Sequence, residues 1–414
     1  MVKYLALLFF LMNQNLAANS LFSIPQDVQA TRIYWLTAGI GQGIESRYGH
    51  SILRVEDLAS RQEYNFNWGV FDFSDPMLPL NFVRAKLLYW ADNQSLGTIL
   101  QIYRSRPLFM QEVHLSNAQK ERFFAILHRE LTPDRIHFWY HHFFKNCATI
   151  PLEYLNEALG GKLKEVFVKR PSGKTFRFYV LRNLAEPMPV GFVLNILMNS
   201  KIDYEINQWE EMFYPPKILE YLAKTPAYDD NLQPSSDQML FSEAKEVLGR
   251  PQAIEAQLGE ALDLNPYVLC FFVVLLASFL SLMFWSKGLA SRIGEHFLAA
   301  TISLWGLLSS ALGLSMAIIW AFSHHLDGHH NWNLMLFWPL DFVLCLTMFR
   351  RKMNKFECYY LWLHVAGVFI YALVGLTGLT AQLVLPLIYQ LAPVQLLCLL
   401  LRIWIASRAL QELG

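Results

Sequence analysis

The sequence predicts an α+β domain lying outside the cytoplasm, followed by an α-helical membrane bundle of about five helices. Three observations carry that prediction. The chain is 54% hydrophobic and only 16% charged, too apolar for an ordinary soluble protein, and its apolar runs of spanning length begin only at Tyr267. Before Tyr267, segments that alternate like strands come first and helical patterns come after them, the order of an α+β domain. The first residues are laid out as a secretory signal, which sends the succeeding domain across a membrane.

Residues 1–18 start with Met-Val-Lys, continue through an apolar run from Tyr4 to Met12 and end in Asn15-Leu16-Ala17-Ala18. That run is too short to span, and cleavage is expected after Ala18. A domain over 19–190 is expected next, then an accessory or linker stretch over 191–266 and a transmembrane domain over 267–414.

In Tyr48 to Val55, Leu53 and Val55 share one face and His50 and Arg54 the other, as in a half-buried strand. Tyr64, Phe66, Trp68 and Val70 alternate in the same way with Asn65 and Asn67, so the two runs read as paired strands. Further strands are expected at Thr98 to Tyr103 and Gln111 to Leu115. Ser116 and Gln119 form a capping-box pattern ahead of Phe123, Leu127 and Leu131, which predicts a helix. A second helix comes after Lys145-Asn146-Cys147-Ala148-Thr149, with Leu152, Leu155 and Leu159 on one face and Gly160-Gly161 at its end. Pro151 allows it to start at Cys147 or at Thr149. The apolar stretch from Val190 to Met198 is too short to span and is expected as a helix buried in the outer domain, ahead of one resting on the bilayer.

Five spans are expected near 267–285, 297–322, 334–349, 360–379 and 382–404. Lys287 and Arg292 follow the first, Arg350, Arg351, Lys352 and Lys355 follow the third, and Arg402 and Arg408 close the fifth. The positive-inside rule makes those connections and the C-terminus cytoplasmic, and leaves the N-terminal domain outside.

The formal net charge is zero, with no basic block, so nucleic acid is not an expected partner. Of the five cysteines, Cys270, Cys345, Cys358 and Cys398 fall in or beside membrane helices, leaving Cys147 alone in an oxidising compartment. A lone thiol at a helix start is a candidate nucleophile whose thiolate the helix amides stabilise; the competing reading is an inert buried cysteine. His50, on the polar face of its strand, is the expected base, ahead of His141 and His142 in their aromatic run. Asn67 on the adjacent strand is placed to orient the imidazole or, alternatively, to satisfy edge hydrogen bonds. The loop from Ser323 to Asn331 holds four histidines, read as a polar outer loop rather than a metal site. Asp341, an ionisable residue inside the third expected span, is either functional or paired within the bundle.

Tyr48-Gly49-His50 with Arg54, Asn67-Trp68-Gly69-Val70-Phe71-Asp72-Phe73 and Asn146-Cys147-Ala148-Thr149 together resemble the Lnb family of bacterial lipoprotein N-acyltransferases. Trp209-Glu210-Glu211-Met212-Phe213-Tyr214-Pro215, Asn331-Trp332-Asn333-Leu334 and the polytopic tail resemble that family as well. The order of His before Asn-Cys is also similar to permuted papain-like folds. The resemblance implies Cys147 as nucleophile and His50 as base, with Asn67 the best placement of a third member. Tyr48, Arg54, Asp72, Asn146, His329, Asn331, Asn333 and Asp341 are expected in supporting or substrate-binding roles, and no cofactor or metal is implied. The implied partners are a phospholipid acyl donor and a diacylated lipoprotein acceptor at the bacterial inner membrane, with the catalytic domain in the periplasm. The residues alone reach thiol-based acyl transfer or hydrolysis, which leaves open a membrane-tethered cell-wall peptidase or amidase and a non-enzymatic lipid-binding module.

Overall fold

The computed structural model of the chain describes residues 20–72, 74–185, 188–248, 289–348 and 353–411, with scattered positions between 271 and 280. The expected leader and most of the expected first span lie outside the described residues. The chain divides into two compact units, one formed by Met1–Lys174 with Glu205–Leu258 and the other by Thr175–Tyr204 with Gly259–Gly414.

The first unit is built on a seven-stranded antiparallel sheet among the described residues. Its strands are β1 (Thr31–Ala38), β2 (His50–Asp57), β3 (Gln62–Val70), β4 (Leu88–Asn93), β5 (Leu108–Glu112), β6 (His137–Trp139) and a closing strand, Lys245–Leu248. They lie in the order closing strand, β5, β1, β2, β3, β4, β6. In the β2–β3 pair Leu53 faces Phe66 and Arg54 faces Asn65, so the period-two alternation sends the apolar set to one face and the polar set to the other.

The apolar face carries Leu53, Val55, Phe66 and Trp68 into a core closed by two helices, α2 (Asn117–Glu130) and α3 (Thr149–Ala158). Phe123, Phe124, Leu127, Leu152 and Leu155 are buried there, each such side chain contributing about 1.5–3 kcal/mol of transfer free energy. The capping box at the start of α2 is formed, with Ser116 Oγ accepting from Gln119 N at 3.3 Å and Gln119 Oε1 accepting from Ser116 N at 3.0 Å. Of the two possible starts for α3, Thr149 is the one taken, which puts Pro151 in the first turn.

One expected strand is a helix. Residues Leu96–Ile102 form α1, because Ser95 Oγ accepts from Thr98 N at 3.1 Å and caps the first turn. Ile99 and Tyr103, four residues apart, are its buried positions. The strand expected over Gln111 to Leu115 begins earlier, as β5.

The segment Thr175–Tyr204 belongs to the second unit, and the stretch expected as a single accessory segment over 191–266 is divided between the two units. The helix α4 (Met188–Leu197) holds all but the last residue of the run expected to be buried in the outer domain. Instead Ile196 lies in the core of the second unit, and its carbonyl accepts from Asn331 Nδ2 and Asn333 Nδ2, both at 2.8 Å. Helix α4 is too short to span alone, and these side-chain amides satisfy a C-terminal carbonyl that its own ladder cannot.

Three helices among the described residues are long and apolar enough to cross a membrane: Ile293–Phe322, Lys355–Leu376 and Leu385–Ser407. The span expected over 334–349 is not one continuous helix. A 3-10 turn at Trp332–Met335 is followed by Pro339 and a short helix, Phe342–Thr347. Proline supplies no N–H to a ladder, so the Met335 carbonyl four residues before Pro339 accepts from Trp338 Nε1 at 3.0 Å instead, and the Pro339 carbonyl accepts from Ser310 Oγ at 2.5 Å. Gly306 and Gly313 allow the broken segment to approach: a Cβ at Gly313 would stand 2.5 Å from the Phe337 carbonyl oxygen.

Candidate active site

The site begins with a backbone constraint. Gly49 has φ +78°, and a Cβ there would lie 2.8 Å from the Ala38 carbonyl oxygen. Glycine alone makes this entry into β2 without strain, and β2 opens at His50, paired with Ala38.

His50 Nε2 lies 2.7 Å from Asn67 Oδ1. The amide orientation of Asn67 is fixed by the backbone, since the Gly69 N–H can only donate and it meets the same oxygen at 2.9 Å. Asn67 Nδ2 donates to Gln94 Oε1 at 3.1 Å. The acceptor oxygen of Asn67 therefore places the proton of a neutral imidazole on Nε2 and leaves Nδ1 as the basic nitrogen. Tyr103 stacks on the ring with centroids 5.7 Å apart and planes at 21°. Gly69 makes room for it, because a Cβ there would fall 2.3 Å from His50 Cε1.

Cys147 directly precedes the N-cap of α3. Asn146 closes that helix start: its Oδ1 accepts from Ala148 N at 2.8 Å and Thr149 N at 2.9 Å, and its carbonyl accepts from Ile150 N at 3.2 Å. The first-turn amides expected to serve the thiol are thus already engaged. The backbone N–H groups that favour the thiolate are instead those of Ser51, the residue after His50, and of Cys147 itself.

Electrostatics correct a second expectation. Burial pushes the Cys147 thiol up to about 11, outweighing the Ser51 amide, its own amide and the nearby Arg106 cation, all of which favour the thiolate. Burial also brings His50 down to about 4, aided by Arg106 and opposed by the Asn67 hydrogen bond. The resting pair is therefore thiol and neutral imidazole, not a preformed thiolate. His50 is in its basic form at neutral pH, so deprotonation belongs to the moment of attack.

Cys147, His50, Asn67, Tyr48, Asn146 and Arg106 line one cleft of about 970 Å³. Tyr48 meets the edge of His142 with centroids 4.1 Å apart, and His142 Nδ1 lies 3.0 Å from the Tyr140 hydroxyl. Arg54 does not line the cleft; its guanidinium is held by Glu56 at 2.6 Å, Glu63 at 2.7 Å and Asn65 at 2.9 Å. Asp72 caps a turn, accepting from Ser74 N at 2.8 Å and Ser74 Oγ at 2.6 Å.

The remaining expected residues lie in the second unit. His329 Nε2 is 2.9 Å from the Ser323 carbonyl. Asn331 and Asn333 hold the end of α4, and Asn333 Oδ1 also accepts from the Tyr371 hydroxyl at 2.8 Å. Asp341 is fully buried and has its partners inside the bundle: Tyr360 at 2.7 Å, His364 at 2.9 Å, Gln395 at 3.1 Å and Ser309. Among the described residues no three His, Cys, Asp or Glu side chains gather as a metal-ligand set.

Sequence reasoning missed Gly69, Gln94, Tyr103 and Arg106. The glycine two residues beyond Asn67 in an otherwise aromatic strand was the available signal for a close approach. Arg106 carried none. A thiol and an imidazole of fixed tautomer line the same cleft, the residue types that attack on an ester, thioester or amide carbonyl requires.

Among known protein families, the Lnb N-terminal periplasmic domain matches residues 25–183, and the Lnb transmembrane domain matches residues 258–411. No curated protein matches the chain, and no solved structure does.

Proposed function

Because the chain belongs to the Lnb family, with a periplasmic domain followed by a transmembrane domain, we propose that it is a cysteine-dependent lipoprotein N-acyltransferase. It moves an acyl chain from phospholipid to the α-amine of a lipoprotein's diacylglyceryl-cysteine. The observation that carries the reading is the single cleft in which Cys147, His50 and Asn67 meet, with Gly69 leaving space for the imidazole. In this reading the catalytic part falls within 19–190 as a permuted papain-like domain, His before Cys. Residues 267–414 cross the bacterial inner membrane in five passes, the third of them broken at Pro339, and leave the C-terminus cytoplasmic.

His50 Nδ1 takes the Cys147 proton as sulfur attacks the ester carbonyl carbon. The Cys147 backbone N–H, which favours negative charge on sulfur before attack, stabilises it on the tetrahedral oxyanion once attack has moved the charge to oxygen, the helix amides being engaged by Asn146. Collapse breaks the ester C–O bond, and the lysophospholipid oxygen leaves with the proton from His50. The lipoprotein amine then attacks the acyl-thioester, His50 accepts its proton, and the thiol is restored as the amide forms. An ester is exchanged for a more stable amide, so no nucleotide is consumed. Asn67 is a positioning residue, holding the tautomer that makes Nδ1 the base.

The test is mass spectrometry of lipoprotein N-termini from a strain lacking its own N-acyltransferase and expressing this protein. Triacylated termini with the wild type and diacylated termini with Cys147→Ala are expected. Termini that remain diacylated with the wild type refute the reading and leave a hydrolase of the same Cys–His chemistry in its place.

A further inference from the structure

Arg106 lines the cleft, half-buried, with its guanidinium 4.6 Å above the ring of Tyr103, which stacks on His50. Among the described residues no carboxylate comes within ion-pair distance of it, and the protein acceptor it reaches, the Ser46 carbonyl, is at a long 3.5 Å. The acidic groups whose fields reach it are Tyr103 and Cys147 and, after them, Glu45, an exposed carboxylate on the cleft wall. Burial pushes Arg106 below its ordinary pKa, as expected for a guanidinium removed from water without a matched counter-ion. Space has been left for it as well: a Cβ on Gly41 would stand 2.8 Å from Arg106 Cδ.

A guanidinium that lines the same cleft as Cys147 and has no carboxylate partner there is matched to an anion that arrives with the substrate. We propose that Arg106 is the phosphate-recognising group of the acyl-donor subsite, binding the phosphodiester of a glycerophospholipid. The proposal rests on the acyltransferase reading and names the feature of the donor that the cleft selects. The glycerol backbone joins the phosphate to the ester, so seating the phosphate on Arg106 presents the ester carbonyl to Cys147 as an intramolecular neighbour.

The experiment uses the full-length protein in detergent micelles and follows acylation of Cys147 by intact mass, with hydroxylamine release as the control. Two donors with identical acyl chains are compared: a phosphatidylglycerol, and the diacylglycerol that lacks the phosphate. The wild type is expected to prefer the phospholipid. Arg106→Gln is expected to cut that preference by about ten- to a hundredfold, chiefly through KM, the range of one lost charge-assisted contact. Arg106→Lys, which keeps the charge without the fork, recovers part of it, and the unfolding midpoint of each variant shows that it is folded. Arg106→Gln retaining the full preference, or losing both donors equally, overturns the subsite. Acylation of the wild type from neither donor overturns the acyltransferase reading, and the subsite falls with it.

Discussion

Replacing Gly69 by alanine adds a single methyl group at the point where the site has no room for one. Its Cβ would lie 2.3 Å from His50 Cε1, 3.0 Å from Nε2 and 3.1 Å from Asn67 Oδ1. Gly69 is not in the left-handed region, so alanine brings no backbone strain and the effect is confined to the imidazole and its partner. To regain 3.4 Å contact the ring must retreat by about 1.1 Å. Its retreat is opposed by buried Tyr103 and by the 2.7 Å bond to Asn67, which is itself tied to Gly69 N and Gln94. A displacement of about 1 Å in a catalytic group costs on the order of a hundredfold in rate, or about 2.7 kcal/mol of barrier at 1.36 kcal/mol per tenfold. The assay is single-turnover acylation of Cys147, with thermal unfolding measured alongside to bound the overpacking cost of about 1–3 kcal/mol. A folded Gly69→Ala protein that acylates at the wild-type rate would refute the idea that His50 works from this position.

With the thiol up at about 11, alkylation of Cys147 by iodoacetamide in the substrate-free protein should rise close to tenfold per pH unit across the neutral range; an early plateau, far below that value, would contradict a thiol held protonated at neutral pH. His50, down at about 4, stays unprotonated and able to accept a proton until the pH falls to that region, so the acid limb of kcat/KM should lie there; a limb near the ordinary histidine value would show that the shift is absent. Gly49→Ala puts a side chain at φ +78° and 2.8 Å from the Ala38 carbonyl, and should lower the stability of the first unit by at least about 1–2 kcal/mol; an unchanged melting temperature argues against it. Asn333→Ala leaves the Tyr371 hydroxyl without its buried acceptor and removes one of two donors to the Ile196 carbonyl, a loss of about 1–3 kcal/mol. Its signature is a lower unfolding midpoint in detergent with KM unchanged, whereas a raised KM at constant midpoint would make Asn333 a substrate contact.

Much of the site was readable where it rested on local chemistry. The alternation of Leu53 and Val55 against His50 and Arg54, and of Phe66 and Trp68 against Asn65 and Asn67, is a period-two pattern, and it set the faces and brought His50 and Asn67 to the same side of the sheet. The capping box at Ser116 is written within four residues, and it formed as read. Where local signals competed, the sequence was ambiguous. Thr98 to Tyr103 reads as a strand from its β-branched residues, yet the Ser95 cap and the burial of Ile99 and Tyr103 one helical turn apart decide for a helix.

By itself, then, the sequence determined which residue types could do the chemistry, which face of each strand they occupy and which part of the chain is apolar enough for a membrane, because these depend on neighbours a few positions away. Tertiary structure decided the rest. It engaged the first-turn amides with Asn146, set the Ser51 N–H to favour the thiolate, placed Arg106 over Tyr103 and joined Thr175–Tyr204 to the membrane unit through Asn331 and Asn333. It also set the charge state of the pair. Desolvation depends on what surrounds a group in three dimensions, and here it outweighs the helix-terminus and hydrogen-bond effects that the sequence alone suggests.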